Sequence, residues 1–241
     1  MRIIKAKDYE DMSRKAASIF FARTFMRPDS VLGLATGSSV LGLYASLVES
    51  HRKGDLDFSG VRTFNLDEYV GLPADSDQSY RYYMNDNLFR HVNIRIENTH
   101  LPDGMAKDTD TECKRYNSVV EGFGGADVQL LGLGLNGHIG FNEPGDSFVG
   151  GVHAVDLDES TIKANSRFFA DEGDVPRRAI TMGIRNIMMA GKIVLCVSGA
   201  QKAGILREVL CGEITPRVPG SVLQLHRDLI VVADEAALSR F

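Results

Sequence analysis

The chain has 241 residues, 44% of them hydrophobic and 24% charged, with a formal net charge of −5. That balance is ordinary for a folded globular chain with a substantial core and excludes a disordered one. It also argues against general nucleic-acid binding, so any phosphate ligand must be held by local geometry rather than by a basic face.

The opening residues, Met1 to Asp8, carry charges throughout and lack the apolar stretch of a signal peptide. An opening helix is expected from Asp8 to Met26, stopped near Pro28. A buried strand, Val31 to Ala35, runs into Thr36-Gly37-Ser38-Ser39, and a second helix covers about Val40 to His51. Val61 to Asn65 reads as a strand ending at Leu66-Asp67-Glu68, followed by helical stretches at Ser79 to Phe89 and Asp108 to Val120. Val128 to Leu133 is a third strong strand, leading into Gly134-Leu135-Asn136-Gly137-His138. Lys192 to Val197 and Leu229 to Val232 supply two more, with a helix from about Gln201 to Leu210 between them.

Strands alternating with amphipathic stretches imply an α/β fold with a parallel sheet and helices on both faces. Continuous apolar strands of this kind are buried on both sides. The longest apolar runs are of strand length, far short of the ~18 to 20 residues that span a bilayer. No Pro/Ser-rich linker or internal repeat divides the chain, so a single domain over 1–241 is expected. Cys113, Cys196 and Cys211 are scattered without C-x-x-C spacing, which fits buried free thiols in a reducing compartment, and hence the cytoplasm.

Ligands of open parallel sheets bind beyond the carboxyl ends of the strands, and the polar clusters of this chain all follow strands. At Thr36-Gly37-Ser38-Ser39, glycine allows a tight turn and the free N–H groups of a helix start suit a phosphate, with hydroxyls as extra donors. A plain helix cap is the competing account. At Asn65-Leu66-Asp67-Glu68-Tyr69, two adjacent carboxylates after a buried strand are costly unless used or paired. Successive side chains of an extended segment point opposite ways, so one can face a pocket while the other makes structural hydrogen bonds. Asp67 or Glu68 could serve as a general base, and a solvated loop or capping pair is the alternative.

The third cluster, Gly134 to Pro144, concentrates Asn136, His138, Asn142 and Glu143 on an irregular path. A histidine with a nearby carboxylate is the usual device for proton transfer near neutral pH. A metal site is the rival, but no second histidine stands at H-E-x-x-H spacing, and a purely structural histidine is the third account. Lys202, opening a helix where the dipole disfavours a cation without an anion, and Arg167 could complete a phosphate site. Met182, Met188 and Met189 read as core filler, and His226 as a packed histidine.

These segments together resemble the glucosamine-6-phosphate deaminase (isomerase) family, within the wider 6-phosphogluconolactonase-like superfamily. The matching pieces are L-G-L-A-T-G at 32–37, T-F-N-L-D-E-Y-V-G-L at 63–72, N-G-H-I-G-F-N-E-P-G at 136–145, A-N-S-R-F-F at 164–169, Q-K-A at 201–203 and L-Q-L-H at 223–226. The resemblance implies a Rossmann-like three-layer fold with a mainly parallel central sheet and helices on both faces. It implies conversion of glucosamine 6-phosphate to fructose 6-phosphate and ammonia with no metal and no coenzyme. Asp67 is then the base that moves the C2 proton to C1, and His138 opens the ring with Glu143 as its orienting partner. Asn136 stands where some family members carry Asp and is expected to support His138 by hydrogen bonding. Thr36, Gly37, Ser38, Ser39, Arg167 and Lys202 match the family's phosphate-binding positions.

The implied partner is a small amino-sugar phosphate, with no nucleic acid and no membrane; a homo-oligomer is left open. Where the family often has S-R-T-R, this chain has Gly150-Gly151-Val152-His153. Basic residues there help bind an N-acetylated sugar-phosphate activator in regulated members, so their absence, with a short C-terminus ending at Phe241, predicts an unregulated enzyme. The competing functions are a related sugar-phosphate isomerase or a lactonase, which has no need of a C2 base, and a non-catalytic sugar-phosphate sensor.

Overall fold

A computed structural model describes residues 1–241 except 167, 168, 170 and 172–174, and the side chain of 164. Seven parallel strands form the central sheet: β1 (Arg2–Ala6), β2 (Val31–Leu34), β3 (Arg62–Asn65), β5 (Thr99–His100), β6 (Val128–Leu131), β9 (Ile193–Val197) and β10 (Leu229–Asp234). Their order is β1-β10-β9-β6-β2-β3-β5. A second sheet is antiparallel, in the order β4-β8-β7, from β4 (Asp67–Tyr69), β7 (His153–Asp156) and β8 (Arg178–Thr181). Every residue of β2, β6, β9 and β10 is buried, which is why these strands are legible as unbroken apolar runs.

The helices are α1 (Tyr9–Met26), α2 (Leu41–Arg52), α3 (Tyr80–Asn87), α4 (Thr109–Gly122), α5 (Glu159–Asn165), α6 (Ile184–Met188) and α7 (Ala203–Cys211). The Asp8 side chain accepts from the N–H of Asp11 and so caps α1. The α1 and α2 helices pack on each other; with right-handed crossovers, the strand order places them on one face of the sheet and α4 and α7 on the other. The chain leaves β2 toward β3 but leaves β6 toward β9. The strand order therefore reverses between β2 and β6, which lie side by side. A crevice opens beyond the carboxyl ends of strands at such a point.

Several elements differ from the sequence reading. The segment 2–6 is an edge strand: only Ala6 is fully buried, and its charged residues hid a pairing in which Ile4 stands opposite Val232. Asp67 and Glu68 do not end a strand but begin a new one, with Asp67 opposite Thr181. The helix expected over 79–89 stops at Asn87, and a 3₁₀ turn follows at Phe89–His91. Two thiols are buried as expected, but Cys211 is exposed at the end of α7. Met182 is core and Met188 packs against it, whereas Met189 is exposed. No helix among the described residues is long and apolar enough to cross a membrane.

Candidate active site

The crevice is a cavity of about 800 Å³, a size suited to a small-molecule ligand. Four strand ends build it. Behind β2, Thr36, Gly37, Ser38 and Ser39 line one wall; behind β3 comes Asp67; behind β6 come Asn136 and His138; behind β9 comes Lys202. Gly37 takes φ +98°, the left-handed conformation that its turn requires. Two tyrosines fix this loop by its carbonyls: Tyr83 Oη donates to Gly37 O (2.8 Å) and Tyr9 Oη to Ser38 O (2.8 Å). The cap position of α2 is Val40, whose side chain makes no capping bond, so the dipole end of this helix is not shielded by its cap residue. An anion suits such a wall.

Lys202 closes a 3₁₀ turn (Ala200–Lys202) at the start of α7, and its Nζ donates to the carbonyl of Leu133 beyond β6. That bond swings the ammonium across the crevice. Asp234, at the end of β10, accepts from Ser198 Oγ and Gly199 N and holds the same loop. Arg167 lies outside the described residues.

The adjacent carboxylates divide their work. Glu68 accepts from the N–H groups of Tyr69, Tyr80 and Arg81, each at 2.9 Å, and so ties β4 to the first turn of α3. Burial pushes its carboxyl up, against the pull of those donors. Glu68→Ala is expected to cost at least about 2 kcal/mol in urea unfolding, since buried N–H groups lose their acceptor, and Glu68→Gln less. Asp67 instead faces the cavity. Burial, reinforced by the Glu68 charge, pushes the Asp67 carboxyl well above the ordinary range, with no offsetting hydrogen bond among the described residues.

The His138 loop folds back on itself, with Gly134 N donating to His138 O (2.9 Å). Its ring lies over Gly134 so closely that a Cβ there would meet ring atoms at 2.4 Å. Two residues on, Gly140 takes φ +57°, and a Cβ there would stand 3.4 Å from Asp67 Oδ2. The loop that carries the imidazole thus also walls the aspartate.

Behind the ring stands Glu143, whose Oε2 is 3.3 Å from His138 Nδ1. Asn136 bridges the pair, its Nδ2 donating to Glu143 Oε2 (2.7 Å) and its Oδ1 accepting from His138 N (3.2 Å). Burial would raise the Glu143 carboxyl, but the His138 hydrogen bond and charge, with bonds from Thr161 and Asn136, outweigh it and hold the group below its ordinary value. Asn142 is spent on structure, donating to the carbonyls of Ile139 and Met182. His226 is buried against Ala190 O (2.9 Å) and is remote from this wall.

The structure thus brings Thr36, Gly37, Ser38, Ser39, Asp67, Asn136, His138 and Lys202 to one cavity, with Glu143 directly behind it. Sequence reasoning missed Thr161 and Asn165 of α5, which also line it. Asn165 donates to Tyr69 Oη (2.9 Å) and so docks α5 on β4. Only the A-N-S-R-F-F motif hinted at this segment. No group of three or more acidic, His or Cys side chains suited to a metal occurs among the described residues.

Residues 9–231 match the family model described as glucosamine-6-phosphate isomerases/6-phosphogluconolactonase. A glucosamine-6-phosphate deaminase of Lachnoclostridium phytofermentans is 55% identical over 96% of this chain and 98% of its own. One from Clostridioides difficile is 52% identical over 100% of this chain and 96% of its own. A solved structure described as a monomeric glucosamine-6-phosphate deaminase superposes with a TM-score of 0.97 at 44% identity, covering 99% of both chains. The 6-phosphogluconolactonase of Trypanosoma brucei, at 18% identity and a TM-score of 0.75, shares the fold alone. With nearly its whole length matched, the chain belongs to the glucosamine-6-phosphate isomerase/6-phosphogluconolactonase family.

Proposed function

We propose that residues 1–241 act as one domain that converts glucosamine 6-phosphate to fructose 6-phosphate and ammonia. The observation that carries this is that Asp67 and His138 line one cavity together with the anion-suited segment 36–39 and Lys202. The relatives named above, about half identical over nearly the full chain, support the same reaction.

The phosphoryl group is held by Thr36, Gly37, Ser38, Ser39, Lys202 and Arg167, which fixes the sugar with C1 and C2 toward Asp67 and His138. A cyclic amino sugar exposes no carbonyl, so the ring opens first. Nδ1 of His138 is engaged by Glu143, which leaves Nε2 to move the proton between the ring oxygen and the anomeric hydroxyl. Asp67 then takes the proton from C2, giving an enolamine, and returns it to C1, giving an imine at C2. Water adds to that imine; the C–N bond breaks and ammonia leaves with the ketose behind. General acid–base steps contribute roughly 10²- to 10⁴-fold each, and the fixed geometry supplied by the phosphate anchor adds to them. A lactonase needs only the His138 side of this arrangement, so a raised, cavity-facing Asp67 favours the deaminase reading.

Ammonia release, measured on several phosphosugars with and without EDTA, tests the reading. Glucosamine 6-phosphate is expected to be the productive substrate at a rate unchanged by EDTA and by N-acetylated sugar phosphates. Hydrolysis of 6-phosphogluconolactone without ammonia release from glucosamine 6-phosphate would overturn it.

A further inference from the structure

Thr161 stands on the first turn of α5, capped by Asp158, whose side chain accepts from Ser160 N (2.8 Å). The threonine side chain is almost fully buried yet borders the cavity. Its Oγ1 donates to Glu143 Oε1 at 2.6 Å, while Glu143 Oε2 takes Asn136 and faces His138. The two carboxylate oxygens therefore have separate partners on separate elements. Asn136 comes from the histidine's own loop, whereas Thr161 reaches in from a separate helix, 18 residues beyond Glu143. A hydroxyl has a single proton, and this one is committed to Glu143. The Thr161 oxygen also lies 3.5 Å from His138 Nδ1, so it crowds the space into which the carboxylate would otherwise turn.

We propose that Thr161 is a positioning residue for the proton relay, its hydroxyl holding the Glu143 carboxylate in the one orientation that presents Oε2 to Nδ1 of His138. Its catalytic consequence rests on the role given to His138 above. Without the hydroxyl, Asn136 holds one oxygen and the plane of the carboxylate is free to swing about that contact. The imidazolium then loses part of its counter-charge. The charged groups around His138 among the described residues are Glu143, on its own loop, Asp158, at the cap of α5, and Asp67 and Lys202, which line the same cavity. Asp158 is solvent-exposed and well screened, so orientation of Glu143 governs the ring.

The experiment compares Thr161→Val, which keeps the shape, with Thr161→Ser, which keeps the hydroxyl. Two quantities are read: the NMR resonance of the His138 Nδ1 in the ligand-free protein at fixed pH, which reports the hydrogen bonding at that atom, and kcat and KM. Thr161→Val is expected to move the Nδ1 resonance and to cut kcat by about tenfold with KM nearly unchanged, the scale of one charge-assisted hydrogen bond. Thr161→Ser is expected to keep both as in the parent. An unchanged Nδ1 resonance in folded Thr161→Val, or a serine variant that behaves as the valine one, would overturn the proposal. If valine prevents folding, Thr161→Ala read against Thr161→Ser decides by the same criteria. The resonance reports on Thr161 even if His138 is not catalytic, so a failure of this inference is distinct from a failure of the reaction assignment.

Discussion

Asp67→Asn is expected to reduce ammonia release by at least ~10²- to 10⁴-fold, the scale of one general acid–base group, while phosphosugar binding persists. An amide keeps the shape and hydrogen-bonding reach of the carboxylate but cannot take the C2 proton. The proposed anchor at 36–39 and Lys202 is untouched, so the dissociation constant for an unreactive sugar phosphate should change little. The same substitution has a second signature in stability. Burial, then the charge of Glu68, holds the folded-state carboxyl above its unfolded value of about 3.9. Between those two values the folded state binds more protons than the unfolded state, so stability falls as pH rises through that interval. It is fully present below about pH 4 and lost once the folded-state group ionises.

The amide variant has no such titration. It should therefore melt higher than the parent at neutral pH, with the gain vanishing toward pH 4. An activity loss accompanied by a stability gain marks a group kept for chemistry at a structural cost. The acid limb of the parent's kcat/KM profile should lie above the ordinary carboxylate range for the same reason. Near-normal turnover in the variant would remove Asp67 from the role of base.

His138→Gln is expected to cost a similar factor, roughly 10²- to 10⁴-fold, but by a different step. In the parent, substrate carrying deuterium at C2 should react more slowly wherever C2–H cleavage limits the rate. With the imidazole gone, ring opening becomes limiting, and the isotope effect at C2 should shrink toward unity. In the Asp67 variant any residual turnover should keep it. The pair of measurements thus assigns the two groups to two barriers, which activity losses alone cannot do. A full isotope effect in His138→Gln would place the histidine outside ring opening.

The parts of the molecule legible in the sequence are those in which one physical demand dominates. β2, β6, β9 and β10 are buried on both faces, so their apolar runs stand out, and they set the parallel core. Alternation along an extended segment implied that one of Asp67 and Glu68 faces a pocket and the other makes structural bonds, without saying which. Glu68 accepts from the N–H groups of Tyr69, Tyr80 and Arg81, while Asp67 lines the cavity. Elements stabilised by context were hidden. β1 has exposed charges because it is an edge, and β4 is three residues long and exists by pairing with β8.

The site was readable to a similar extent and for the same reason. Gly134 to Pro144 is dense in glycine and polar groups that no simple turn needs, so it announced itself. Thr161 did not, because a threonine in the first turn of a short helix is unexceptional until the fold brings Glu143 to it. Lys202 shows in the sequence only as a helix-opening cation; its bond to Leu133 O, just beyond β6, is a tertiary fact with no local signal.

A crystal structure with an open-chain alditol analogue of glucosamine 6-phosphate examines the convergence of groups directly. The phosphoryl oxygens are expected on the backbone and hydroxyls of residues 36–39 and on Lys202, with C1 and C2 within reach of the Asp67 carboxylate and the His138 ring. An analogue bound with its phosphate on that wall but its C1–C2 end turned away from Asp67 would contradict the account.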